Sequence, residues 1–259
     1  MASDNRPIWA GITPWQPLTE VPARQGHEHM VEPDSVVTSS RQVQDPPPAS
    51  AKAGPLQAGL SDTLTRILFD LMVYLFSSTS VRIKRLNISV RVFEKAKLEG
   101  CEKGFIFESA AGATTYLIPL PKAFEALGFP CPYDRNHIEH SYYRELHRFL
   151  LTKDPANKSV HTEFRVGDSG STGDIVTIGQ DGTRRAYEIT LSTGNVLSNA
   201  TKYSKTDYVQ IVFLCRDYEL REAVKACCRE GGLDPDRLAK LDYWQFSGLL
   251  RRQRKLSLY

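Results

Sequence analysis

Two acidic residues, Asp174 and Glu188, occupy strand-like segments, Gly173 to Ile178 and Arg185 to Thr190, that flank the turn signal Gln180-Asp181-Gly182. A three-residue hairpin loop with Gly182 left-handed sets Asp174 opposite Glu188 across the hairpin. That register puts Val176, Ile178, Ala186 and Thr190 on the same face, so the two carboxylates sit at the edge of an otherwise buried surface. Two unpaired negative charges there are costly, and a cation is the simplest compensation. Hard oxygen ligands on a rigid hairpin suit Mg²⁺ or Mn²⁺, which completes its shell with waters and substrate phosphate oxygens. Such an ion polarises a phosphodiester and activates a water for attack. On the helix that follows, Asn195, Asn199 and Lys202 are spaced to share one face, which lets the Lys202 ammonium reach the attacking water or the charge developing on phosphate. The plainer alternative is a pair of solvated strand-end acids held by Arg184, Arg185 or Lys202.

Other reactive-looking residues carry less. His137, His140 and His147 fall with Glu139 on one helix, but no third metal ligand follows at a convincing spacing, so they read as helix-surface or interface residues. Gly167-Asp168-Ser169-Gly170 imitates the nucleophile loop of trypsin-like proteases, yet it sits in a Gly/Ser turn of a chain too short for two barrels. The five cysteines include no C-x-x-C pair, giving neither a disulfide framework nor a zinc spacing, and they suggest a reducing, cytoplasmic setting. No phosphate-binding G-x-x-x-x-G-K-[ST] loop is present, so any ATP-driven motor is expected on another polypeptide, a separate ATPase or translocase.

The elements that position the acids begin after a proline-rich stretch. Residues 1–58, with Pro46, Pro47 and Pro48, have no helical or strand periodicity and read as a disordered tail, in which Trp9 and Trp15 dock on the body or bind a partner protein. Residues 59–130 then read as helix, tight connection, helix, hairpin and short helix. Leu64, Ile67, Leu68, Leu71 and Leu75 mark the first helix, and Ser89 caps another through Phe93 and Ala96. Two alternating runs, Phe105 to Glu108 and Thr114 to Ile118, form the hairpin, and Pro121 to Leu127 the short helix. Helix-turn-helix plus hairpin is the order of a winged helix, and Arg82, Lys84, Arg85, Arg91 and Lys95 on its helices are expected to contact DNA phosphates and grooves. Pro130-Cys131-Pro132 lies in a plausible linker. Residues 134–250 follow as α-β-β-β-α-β-α, an α/β domain whose mixed sheet is flanked by helices. A basic tail, 251–259, carries Arg251, Arg252, Arg254 and Lys255.

Composition sets the bounds. With 33 Lys and Arg against 30 Asp and Glu, the net charge of +3 is too mild for a histone-like binder but leaves room for local basic surfaces. The longest apolar stretch, Ile67 to Phe76, is broken by Asp70 and is about half the ~20 residues of a membrane span, so no membrane role is expected.

The order acid, turn, acid-x-Thr, helix with lysine, apolar strand resembles the PD-(D/E)XK restriction-endonuclease-like superfamily over roughly residues 62–246, with a winged helix ahead of the nuclease core. The resemblance implies a metal-dependent DNA nuclease in which Asp174 and Glu188 hold Mg²⁺ or Mn²⁺. Lys202 replaces the usual catalytic lysine, whose place is taken by Thr190, and Gly173 replaces the proline that often precedes the first acid. A further acid of that family falls on Glu145 or Glu163. A homodimer is expected if both strands are cut, since each chain has one site. The alternatives are a catalytically inactive DNA-binding adaptor with a nuclease-like fold and a winged-helix transcription regulator, with RNA as another possible substrate.

Overall fold

The structure, a computed structural model, describes residues 60–112, 114–166, 171–203 and 206–248. The proline-rich stretch with Trp9 and Trp15, the Gly167 to Gly170 loop and the basic tail 251–259 lie outside these residues.

The first helix, α1 (Asp62–Val73), starts where the Ser61 side chain accepts a hydrogen bond from the Leu64 amide. Leu64, Ile67, Leu68 and Leu71, spaced at three and four, all lie at 0% exposure along its inner face. Next come α2 (Thr79–Leu86), ended by left-handed Asn87, and α3 (Val90–Glu102), capped by Ser89 as its sequence predicts. An antiparallel hairpin, β1 (Ile106–Ala111) and β2 (Thr114–Pro119), and a short helix, α4 (Pro121–Leu127), complete this half.

The second half opens with α5 (Ile138–Thr152), then β3 (Asn157–Val166), β4 (Ser171–Gly179), β5 (Arg184–Thr190), α6 (Val196–Lys202), β6 (Gln210–Cys215), α7 (Tyr218–Glu230), α8 (Pro235–Ala239) and β7 (Leu241–Gln245). The five strands form one sheet in chain order, with β3, β4 and β5 antiparallel and β5, β6 and β7 parallel. Each parallel pair is joined by a helical crossover, α6 for the first and α7 with α8 for the second. Helix α5 covers one face of the sheet, and α6 and α7 cover the other. Strand β6, flanked by β5 and β7, is apolar and buried on both faces from Ile211 to Cys215, as a covered parallel strand must be.

The two halves share one core. Buried side chains from α1, α3, β2, α5 and the α5 face of the sheet form one continuous cluster. Tyr142 and Tyr143 of α5 stand at its centre, edge-on to Tyr116, and the Tyr142 hydroxyl donates to the Leu75 carbonyl across the seam. The segment expected as a linker is pinned to the seam, with Tyr133 buried and packed edge-on against Phe124 and Tyr142. Among the described residues no helix is long and apolar enough to cross a membrane.

One expected DNA contact is corrected here. Arg82 is turned inward at 2% exposure, paired with Asp70 at 2.6 Å, and donates to the carbonyls of Asp70, Tyr74, Leu75 and Ser77. It ties the end of α1 to α2 and is not free to meet a phosphate. Arg85 also grips Asp70 and stacks over the Tyr74 ring, whereas Lys84, Arg91 and Lys95 remain exposed.

His147 of α5 is fully buried beside Phe246, its Nδ1 bonded to the Tyr143 carbonyl at 2.7 Å, and burial pushes its pKa down to about 4. Below the ordinary value near 6.5 the unfolded chain takes up a proton that the buried ring refuses, so this group's stabilisation is lost as pH falls from 6.5 towards 4. Replacing His147 with Gln, which keeps a donor for that carbonyl, is expected to shift the difference in stability between about pH 7 and pH 5 by about 2 kcal/mol in favour of the lower pH. Urea unfolding at both pH values checks this, and an unchanged pH slope would contradict it.

Candidate functional site

The hairpin of β4 and β5 turns through Gln180, Asp181 and left-handed Gly182 (φ 82°), with Gly179 donating to the Thr183 carbonyl at 2.7 Å. Its register, Ile178↔Arg184 through Ile175↔Tyr187, stops one step short of Asp174 and Glu188. The expected juxtaposition therefore falls where the ladder ends. There the Ile189 amide donates to Asp174 Oδ2 at 2.8 Å, so the carboxylate takes the place of a backbone partner. The same oxygen lies 3.2 Å from Nε2 of His140, which reaches it from α5. On the other side of the ladder, β3 and β4 pair Thr162 with Ile175 and Phe164 with Gly173, passing over Glu163 and Asp174.

Glu188 points to the opposite helix layer. It is 1% exposed, and Lys202 of α6 bonds its Oε2 at 2.8 Å while also donating to the Thr172 carbonyl at 2.8 Å. The neighbouring Tyr203 hydroxyl donates to Oε1. The unexpected glycine ahead of Asp174 has a physical reason: a Cβ on Gly173 would collide with the Tyr203 hydroxyl. Gly173 thus keeps open the space through which Tyr203 reaches Glu188.

Asp174, Glu188 and Lys202 line one pocket of about 510 Å³, together with Asn195 at the N-cap of α6, Asn199 within that helix, and His140 and Arg144 from α5. The spacing argument placed Asn195, Asn199 and Lys202 on one face, and all three meet the pocket. Val176 and Ala186 are buried on the Glu188 face as expected, while Ile178 is half-exposed. Arg184 is directed to Asp207 and not to either acid.

Electrostatics set the state of the acids. Burial, helped by the nearby Asp174 charge, pushes Glu188 up to about 7 against the pull of Lys202 and Tyr203. For His140, burial lowers the pKa, but the hydrogen bond and charge of Asp174 outweigh it and the net shift is upward.

Three readings of single residues change. Glu145 is buried in a pair with Arg148, and Glu163 is exposed and bridged to Arg144, so neither faces the pocket as a further acid. His140, read as an ordinary helix residue, touches Asp174. Its partner lies on a strand 34 residues away, a contact that local spacing does not encode. Compensation of the acid pair comes from Lys202, Tyr203, His140 and one backbone amide. Among the described residues, no group of three or more His, Cys, Asp and Glu side chains is disposed to hold a metal ion.

Fold and site together define a mixed α/β protein with a five-stranded mixed sheet and a pocket built on a buried acid-lysine-tyrosine cluster. No family model matches this chain, and none of the curated proteins matches it.

Proposed function

We propose that this protein is a metal-dependent DNA nuclease of the restriction-endonuclease-like kind. The observation that carries the reading is the convergence of Asp174, Glu188 and Lys202, from β4, β5 and α6, on one pocket. The donor set fits Mg²⁺ or Mn²⁺ in its chemistry: two hard carboxylates lining one pocket, one of them buried. Such ions are commonly held by one or two carboxylates with waters and phosphate oxygens completing the shell, so a full protein cage is not needed. Asp174 and Glu188 would hold the ion, which would supply Lewis acidity at a phosphodiester.

The chain's own groups have separate tasks in this reading. Tyr203 fixes one oxygen of Glu188, and His140 with the Ile189 amide fixes Asp174. The Lys202 ammonium, only 13% exposed, passes from Glu188 to the charge that builds on the phosphate. Asn195 and Asn199 offer amide donors to the same phosphate. The order α1, α2, α3, β1, β2 supports a winged-helix reading of the first half, with exposed Lys84, Arg91 and Lys95 as its cations towards DNA.

A second reading rests on the same geometry. Both Glu188 oxygens are already engaged, one by Lys202 and one by Tyr203, which suits a catalytically inactive DNA-binding adaptor that keeps the fold.

Metal uptake separates the two. Because Glu188 holds its proton up to about pH 7, proton and metal compete, and Mn²⁺ affinity should fall about tenfold per pH unit below that value. Calorimetric titration at several pH values checks this, with Glu188→Gln flattening the dependence. Absence of Mn²⁺ and Mg²⁺ uptake at every pH would favour the adaptor.

A further inference from the structure

We infer that Arg144 forms an anion subsite for a substrate phosphate beside Asp174, and that Glu163 holds it in reserve until the phosphate arrives. The inference rests on the nuclease reading for the identity of the anion as a DNA phosphodiester.

Among the described residues lining the pocket, the permanent cations are Lys202 and Arg144. Lys202 is held on both sides, by buried Glu188 and by the Thr172 carbonyl. Arg144 is held differently. Its side chain is 16% exposed, and its firm partner is Glu163, whose side chain is 61% exposed. Glu145 stands 3.8 Å from its Nε, too far for a hydrogen bond and already bonded to Arg148. The Arg144 Nε is buried and has no hydrogen-bond partner among the described residues. A guanidinium with one unused buried donor and one solvated counter-ion is readily transferred to a stronger acceptor, and a phosphate accepts two of its N–H groups at once.

The backbone of Glu163 belongs to the same device. Glu163 sits at φ 51°, a left-handed conformation uncommon for a residue with a Cβ, in the middle of β3. It falls in the register position facing Asp174, where the ladder passes over both residues. The conformation takes its carboxylate out of the sheet and onto Arg144. His140 and Arg144 are one turn apart on α5, so the residue that steadies Asp174 and the residue that would grip the phosphate share one helix face. This also assigns Glu163 a part other than metal ligation: it is the counter-ion that the substrate displaces.

The test is binding of a fluorescein-labelled DNA duplex in EDTA, where cleavage cannot contribute, read by anisotropy over a range of salt. Arg144→Ala should weaken binding about tenfold, the usual magnitude for one charge-assisted hydrogen bond, and lower the salt slope by about one. Glu163→Gln, at an exposed position, should tighten binding about two- to threefold by releasing the arginine, and that gain should vanish in the Arg144→Ala background. Arg144→Ala binding with wild-type affinity and salt slope, or no tightening from Glu163→Gln, overturns the inference. Wild-type cleavage in Mn²⁺ is measured in parallel, so the two ideas fail separately. A chain that binds in this pattern but never cuts removes the nuclease reading alone, and one that cuts while both variants bind normally removes the subsite alone.

Discussion

Glu188→Gln and Lys202→Ala are each expected to lower DNA cleavage by about 100- to 1000-fold, the usual consequence of losing one preorganised charge at a reacting phosphate, while duplex binding in EDTA stays within about twofold. The two variants fail for different reasons. Glutamine at 188 keeps the hydrogen bond from Tyr203 but offers no anion to an ion or to Lys202. Alanine at 202 removes the main cation opposing a pKa already pushed up to about 7, so Glu188 stays protonated to still higher pH. Residual cleavage by Lys202→Ala should therefore recover as pH rises, whereas Glu188→Gln should be flat. Thr190 lies two residues beyond Glu188, lines the same pocket, and donates only to the Glu188 carbonyl. A lysine placed there projects from the strand on the side of Glu188, so Thr190→Lys should restore part of the activity lost in Lys202→Ala. No rescue, with the double variant folded, would count against the displaced-lysine account.

Arg82→Ala is expected to cost about 3–5 kcal/mol, a large part of a domain's ordinary stability, because it breaks a buried ion pair and leaves Asp70, at 4% exposure, with Arg85 as its remaining counter-ion. It also removes the side-chain donor of the Tyr74 and Ser77 carbonyls and leaves the Leu75 carbonyl with the Tyr142 hydroxyl. Lysine cannot supply that fork, since its single ammonium does not span so many acceptors. By contrast Lys84→Ala, at an exposed position, should change stability by less than about 0.5 kcal/mol and act on DNA binding instead. Chemical denaturation of both variants distinguishes the roles, and equal stability of Arg82→Ala and the wild type would contradict this one.

These two residues show where the sequence was informative. Lys84 and Arg82 sit in the same basic segment, and nothing local separates a solvated charge from a buried one. The separation comes from Asp70, twelve residues earlier, and from carbonyls at the end of α1 that need a donor. Features fixed by neighbours in the chain were legible: the Ser61 and Ser89 caps, the hairpin of β1 and β2, the left-handed Gly182 and the register that brings Asp174 towards Glu188. The shared face of Asn195, Asn199 and Lys202 was legible for the same reason, since helical periodicity alone determines it. Contacts between distant elements were not, and they include His140 with Asp174, Tyr203 with Glu188 and the aromatic seam of Tyr116, Tyr142 and Tyr143. Strand β7 escaped because Leu241 to Gln245 is short, half-exposed at every position and mixed in polarity; it is a strand only because β6 offers it a parallel edge.

The pH behaviour of the fold joins the two buried titrating groups. Glu188, raised from 4.5 to about 7, contributes stability at low pH that is lost as pH rises through 7, while His147 runs in the opposite sense over the overlapping range. Wild-type stability is thereby flattened across this window. Once His147→Gln removes one side, the opposite slope from Glu188 should emerge.

The most direct measurement is single-turnover cleavage of labelled duplex DNA by purified protein with Mg²⁺ or Mn²⁺, beside Asp174→Ala and Glu188→Gln under the same conditions. The account predicts metal-dependent cutting by the wild type that both variants abolish, with DNA binding in EDTA retained by all three. Cutting that survives both substitutions, or duplex binding without cutting under either metal, would contradict it.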